Sequence, residues 1–187
     1  RCFSRSGARP GDKILVTGSL GDSALGLKLL TTKKLITGTS RDKNFLIGRH
    51  LNPTPRVVES RMLASSDAKV TAMIDLSDGL AQDLGHICDS SSVGARLLET
   101  ALPTSQPFEN ITLDNNIPAK NLVLAGGEDY ELLFTLRSES VKKLAEQFQK
   151  AGKRLSCVGE ITPDAGRLIM VNKKDRREVL SRKWGFN

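Results

Sequence analysis

The chain has 187 residues, 39% of them hydrophobic, which suits one globular domain of ordinary size. Aromatics make up only 4%, so aliphatic side chains must fill the core, and no apolar run approaches the roughly 18 residues a membrane-spanning helix requires. The formal net charge of +7 fits either a plain basic surface or attraction to phosphorylated ligands, and sparse aromatics without a nucleic-acid motif argue against a dedicated nucleic-acid module.

In chain order, the turn Arg9-Pro10-Gly11-Asp12 leads into a short buried strand at Lys13–Thr17. Gly18-Ser19-Leu20-Gly21-Asp22 then opens a helix through Ala24, Leu25, Leu27 and Leu30. A weaker helix is expected over residues 42–51, stopped by Asn52-Pro53-Thr54-Pro55. Thr54 can cap the next helix with Pro55 at its first position, and Val58 and Met62 then share a face. Val70–Asp75 reads as a strand, followed by a helix whose stripe is Leu80, Leu84, Ile87 and Cys88.

Residues 94–99 form another expected strand, and the polar segment 104–120 reads as a long loop with one short helix. The clearest strand spans residues 130–136, and the clearest helix carries Val141, Leu144, Ala145 and Phe148 up to Gly152. Strands follow at 155–160 and Leu168–Val171, then a hairpin turn at Asn172-Lys173-Lys174-Asp175 into residues 178–180. Without strict βαβ alternation, the expected class is α+β, a mixed sheet covered by helices, in a single domain over residues 1–187.

Cys2, Cys88 and Cys157 are scattered, without metal-ligand spacing or a disulfide framework, and a reducing cytoplasmic compartment is expected. Arg1-Cys2-Phe3-Ser4 does not resemble a signal peptide, and the lack of an initiator Met suggests a piece of a longer protein.

Three segments concentrate chemistry. Ile74-Asp75-Leu76-Ser77-Asp78-Gly79-Leu80 puts two carboxylates and a hydroxyl where a strand ends and a helix begins. Helix amino termini favour phosphate, and neighbouring carboxylates offer hard oxygen ligands for Mg2+. Ser77 or Asp78 could equally serve as an ordinary helix cap. Ala125-Gly126-Gly127-Glu128-Asp129-Tyr130-Glu131-Leu132 crowds acids at the start of an apolar strand, as a ligand site or as a solvated strand edge. Arg5 and Arg9 flank a flexible turn that could grip phosphate or simply face solvent. His50 and His86 lack a nucleophilic or zinc-binding arrangement and read as packed or surface residues, and Asp83 reads as solvated on the polar side of its helix.

Five motifs in order, Arg5-Ser6-Gly7-Ala8-Arg9-Pro10-Gly11-Asp12, Leu51-Asn52-Pro53-Thr54-Pro55-Arg56, Ile74 to Leu80, Asp83-Leu84-Gly85-His86-Ile87 and Gly126 to Leu132, resemble the second half of thiamine-monophosphate kinases. That family belongs with aminoimidazole ribonucleotide synthetase-related enzymes, and the resemblance covers the whole chain. It implies an aminoimidazole ribonucleotide synthetase C-terminal-domain-like fold and transfer of the γ-phosphoryl of ATP to thiamine monophosphate, giving thiamine diphosphate. By the same resemblance Arg5 and Ser77 contact ATP, Asp75 and Asp78 bind Mg2+, and Glu128 and Phe186 contact the substrate.

No general base is expected, because the acceptor phosphate oxygen is already anionic; positioning and charge neutralisation suffice. The family's amino-terminal domain, with further metal-binding acids, is absent from the sequence, so this half alone is expected to be inactive. A family homodimer is the implied assembly. The alternatives are another ATP-dependent enzyme of the same superfamily, or a basic module binding nucleic acid or a protein partner.

Overall fold

The computed structural model describes residues 2–180 and contains one seven-stranded mixed sheet. The strands are β1 (Lys13–Thr17), β2 (Val70–Asp75), β3 (Gly94–Leu98), β4 (Leu132–Leu136), β5 (Leu155–Thr162), β6 (Leu168–Val171) and β7 (Arg177–Val179). Their spatial order is β2-β4-β1-β5-β3-β6-β7, antiparallel throughout except for the parallel β3–β6 pair. Seven α-helices cover it: α1 (Asp22–Thr31), α2 (Ser40–Leu51), α3 (Val57–Ser65), α4 (Leu80–Ser91), α5 (Gln106–Asp114), α6 (Ala119–Ala125) and α7 (Val141–Lys150). None of the described helices is long and apolar enough to cross a membrane.

Strand alternation explains the two-sided cover. Ile14, Val16, Ile74 and Leu133 point into the larger core with Leu25, Leu46, Leu84, Phe108 and Leu122, and Leu15, Phe134 and Leu136 point the other way. On that second face they meet Leu63 of α3 and Leu144 and Phe148 of α7. The α+β class with helices over a mixed sheet is therefore what the chain adopts.

Local differences from the sequence reading have physical causes. Residues 104–120 hold the expected short helix, α5, and the first two residues of α6, so the loop is shorter than expected. The Ser105 hydroxyl accepts the Phe108 N–H at 3.2 Å, Pro107 stands in the first turn where no N–H is required, and Phe108 and Ile111 are buried. Thr54 does not cap α3; Arg56 precedes that helix, and Glu59 and Leu63 are buried while Val58 is exposed. The fourth strand starts at Leu132 because Glu128 and Tyr130 take left-handed backbone angles, with φ of 65° and 50°.

Candidate functional site

Beyond their formal ends β2 and β4 stay attached. Leu76 N–H donates to the Glu131 carbonyl at 2.8 Å, Tyr130 N–H to the Leu76 carbonyl at 2.9 Å, and Glu128 N–H to the Ser77 carbonyl at 2.9 Å. The two acid-rich segments, far apart in sequence, thus run side by side as an irregular ribbon. Gly127 permits this approach, since a Cβ there would lie 2.4 Å from the Ser77 carbonyl oxygen. The ribbon forms one wall of an open cleft of about 480 Å³, to which Ser77, Asp78 and Glu128 all contribute. Opposite them α1 supplies Ser23, Leu27 and Lys28, and α2 supplies His50.

The turn between β2 and α4 is held from within. Asp83 is 1% exposed, and its Oδ2 accepts the N–H groups of Ser77 and Asp78, both at 3.0 Å. It is therefore a buried cap and not the solvated residue its helical position suggests. Burial pushes its carboxyl up from the usual range, and the nearby Asp78 charge adds to this, against the two amide bonds. Asp78 itself is exposed, with Gln82 Nε2 donating to its Oδ2 at 3.2 Å.

A second buried acid anchors the other segment. The Asp129 carboxylate accepts the N–H of Gly21 at 2.7 Å and of Ser23 at 3.1 Å, at the start of α1. Burial pushes its pKa to about 7, although both amide bonds favour the charged form. Glu131, fully buried, accepts from the Thr17 hydroxyl at 2.7 Å, from Arg49 Nη2 at 2.9 Å and from Arg56 Nη2.

The sequence-derived candidates fall into three groups. Ser77, Asp78 and Glu128 share the cleft. Asp75 is exposed at the end of β2, three residues from Asp78 but outside the cleft wall. Arg5 is exposed on a segment that follows the outer edge of β2, where the Ser4 carbonyl accepts the Met73 N–H at 2.8 Å, and it does not line the cleft. Phe186 lies outside the described residues.

Sequence reasoning missed His50, whose Nδ1 lies 3.0 Å from Ser23 Oγ and 3.3 Å from Glu128 Oε2. It also missed Ser23, Leu27, Lys28 and Thr31 of α1. Their i, i+4, i+5, i+8 spacing was the available signal, because it marks a single helix face that mixes polar with apolar residues.

The donor chemistry suits a hard divalent cation. Asp75 and Asp78 offer exposed carboxylate oxygens, and Mg2+ in general takes one or two carboxylates together with water and substrate phosphate oxygens. Ligand atoms of Asp78, Asp83 and His86 also lie within 4.8 Å of one another. Asp83 is already committed to two amides, however, and an imidazole nitrogen is a poor partner for Mg2+.

A helix-covered mixed sheet with an acid-rimmed cleft where β2 ends and α4 begins defines the class of domain. Residues 9–172 match the family described as AIR synthase related protein, C-terminal domain, and the chain belongs to that family. Among its relatives is the thiamine-monophosphate kinase of Salmonella typhimurium, 42% identical over 164 residues, covering 88% of this chain and 49% of that protein. The solved thiamine-monophosphate kinase of Stenotrophomonas maltophilia superposes with a TM-score of 0.77 at 34% identity, covering 91% of this chain and 52% of that one. A solved complex of AaThiL with AMPPCP and TMP also gives 0.77, at 32% identity, covering 91% of this chain and 50% of that one. The chain thus spans about half the length of the relatives it matches.

Proposed function

We propose that this chain is the carboxyl-terminal half of a kinase that transfers the γ-phosphoryl of ATP to thiamine monophosphate, giving thiamine diphosphate and ADP. The observation that carries the reading is the convergence of Ser77, Asp78 and Glu128 on one cleft from two distant segments. The AaThiL complex, with a nucleotide analogue and TMP bound to a relative of the same fold, supports the two ligand classes.

In this reading Ser77, at the turn into α4, binds phosphate oxygens of ATP, with the turn's amides held in place by Asp83. Asp75 and Asp78 hold Mg2+, which when bound offsets the negative charge that gathers on the transferring phosphoryl group. Glu128 faces the thiamine moiety, where a carboxylate favours a cationic thiazolium electrostatically. Arg5 as an ATP contact and Phe186 as a substrate contact rest on the family resemblance alone. The acceptor is an anionic phosphate oxygen, so these residues have only to bind, orient and neutralise, and His50 is not required as a base.

The remaining nucleotide and metal contacts come from an amino-terminal domain present in the full-length protein, which assembles as a homodimer in this reading. The test is ATP-dependent conversion of thiamine monophosphate to the diphosphate by that full-length protein. Asp78→Asn is expected to lower the rate and raise the Mg2+ concentration needed for half-maximal rate. Full activity in both Asp75→Ala and Asp78→Ala would remove the metal assignment, and turnover of a different acceptor in a substrate panel would replace the substrate.

A further inference from the structure

Arg49 belongs to none of the motifs above, yet it ties the cleft together from behind. Its Nη2 donates to Glu131 Oε1 at 2.9 Å and to the Asp129 carbonyl at 3.2 Å, and its Nε stands 3.8 Å from Asp22 Oδ2. The side chain is 10% exposed. Neutralising Glu131 is not its distinctive task, because Arg56 and Thr17 already bind that carboxylate. The Asp129 carbonyl is different. Around it the N–H groups of Glu128 and Tyr130 and the carbonyl of Glu131 are all engaged toward the β2 side. Asp129 accepts on the opposite side, and Arg49 is what it accepts from.

That turn stores strain. Glu128 and Tyr130 flank Asp129 with φ of 65° and 50°, left-handed conformations that are unfavourable for residues other than glycine. Such a zigzag persists only where the surroundings over-determine it. Here the Asp129 carboxylate is fixed on α1, its carbonyl is fixed by a guanidinium from α2, and both Glu128 and Tyr130 are turned outward. The Glu128 carboxylate thereby faces the cleft beside His50.

We infer that Arg49 is a positioning residue, whose guanidinium holds the main chain at Asp129 so that the neighbouring Glu128 presents its carboxylate to the substrate. The inference rests on the proposed substrate role of Glu128 only for its kinetic arm. The two N–H groups of Nη2 serve the carbonyl and the carboxylate together, in the fixed plane of a guanidinium whose Nε faces Asp22, whereas a lysine ammonium is a point charge on a flexible stem.

The experiment compares wild type, Arg49→Lys and Arg49→Met in the full-length protein. Hydrogen exchange of the peptide covering residues 126–131 is expected to speed up at least about tenfold in both variants, while core peptides such as that of β1 keep their protection. With thiamine monophosphate as substrate, its KM is expected to rise by about tenfold with the KM for ATP unchanged, a loss equivalent to one contact. In a Glu128→Gln background the same Arg49 substitution should raise that KM no further.

Unaltered exchange in 126–131 overturns the inference, as do equal changes in both KM values or effects of Arg49 and Glu128 that simply add. If Arg49→Met does not fold, because Glu131 loses a buried partner, Arg49→Lys, which retains the charge, decides the matter. If wild type fails to turn over thiamine monophosphate, the functional reading falls and the exchange measurement alone judges Arg49.

Discussion

Replacing Asp83 tests whether the turn under Ser77 and Asp78 is held by a buried acceptor. In Asp83→Ala two backbone donors, now 3.0 Å from Oδ2, lose their partner together. A hydrogen bond to a charged group contributes about 1.5–3 kcal/mol. Two offsets reduce the sum: Ser77 is only half-buried and Asp78 is exposed, so water can reach part of the turn, and a carboxyl disfavoured by burial is removed with the side chain. The expected net loss is about 2–3 kcal/mol.

Asp83→Asn keeps a carbonyl oxygen able to accept both amides and gives up only the charge, so about 0.5–1 kcal/mol is expected for it. Urea unfolding at pH 7 measures both variants, and nucleotide affinity measured alongside should fall in Asp83→Ala and be largely kept in Asp83→Asn. Equal costs for the two substitutions, or a cost below about 0.5 kcal/mol for Ala, would refute the capping role.

Asp129, with a folded pKa of about 7 against 3.8 for an unperturbed aspartate, holds its proton at pH values where the unfolded chain has lost it. Its contribution to stability is therefore greatest below pH ~4 and declines as pH rises to ~7. From pH 5 to pH 8, stability differences should move in favour of Asp129→Asn by about 3 kcal/mol relative to wild type, and a pH-independent difference would contradict this. Gly18→Ala would place a Cβ 2.1 Å from Glu131 Oε1 at φ +58°. Because Thr17 and two arginines fix that carboxylate, about 2–4 kcal/mol of destabilisation is expected by thermal or urea unfolding. Phe134→Ala empties a fully buried site on the α3/α7 face and should cost about 3–5 kcal/mol in the same assay, with KM values of the folded enzyme unaffected.

The sheet was legible wherever burial is simple. β1, β2 and β6 lie where the apolar runs put them, and α7 follows the spacing of Leu144 and Phe148. Segment 104–120 was legible only as a loop with one short helix, because α5 is built largely from polar residues around few anchors: Ser105 caps, Phe108 and Ile111 dock, and Asn116 at φ 51° follows its end. The strand order was hidden as well. β1 pairs with both β4 and β5, and β3 with both β5 and β6, through contacts that no local pattern encodes. Of the site, the two motif segments could be read from composition, but the face of α1 opposite them could not, since Leu27 reads as an ordinary core position and is 43% exposed.

The acids sort into two kinds that the sequence presents as one. Along Glu128-Asp129-Tyr130-Glu131 exposure alternates out, in, out, in, as the backbone zigzags through left-handed angles at Glu128 and Tyr130 ahead of β4. Burying Asp129 and Glu131 is costly, and each is compensated by donors that fix a piece of backbone or a guanidinium: the start of α1 for Asp129, Arg49 and Arg56 for Glu131. Asp83 does the same for the turn before α4. Asp75, Asp78 and Glu128 lie outside that framework with exposed carboxylates, and of these only Glu128, through His50, has a cationic-capable neighbour within 4 Å among the described residues. The acids therefore divide by burial into carboxylates that hold the cleft in shape and carboxylates that stay exposed.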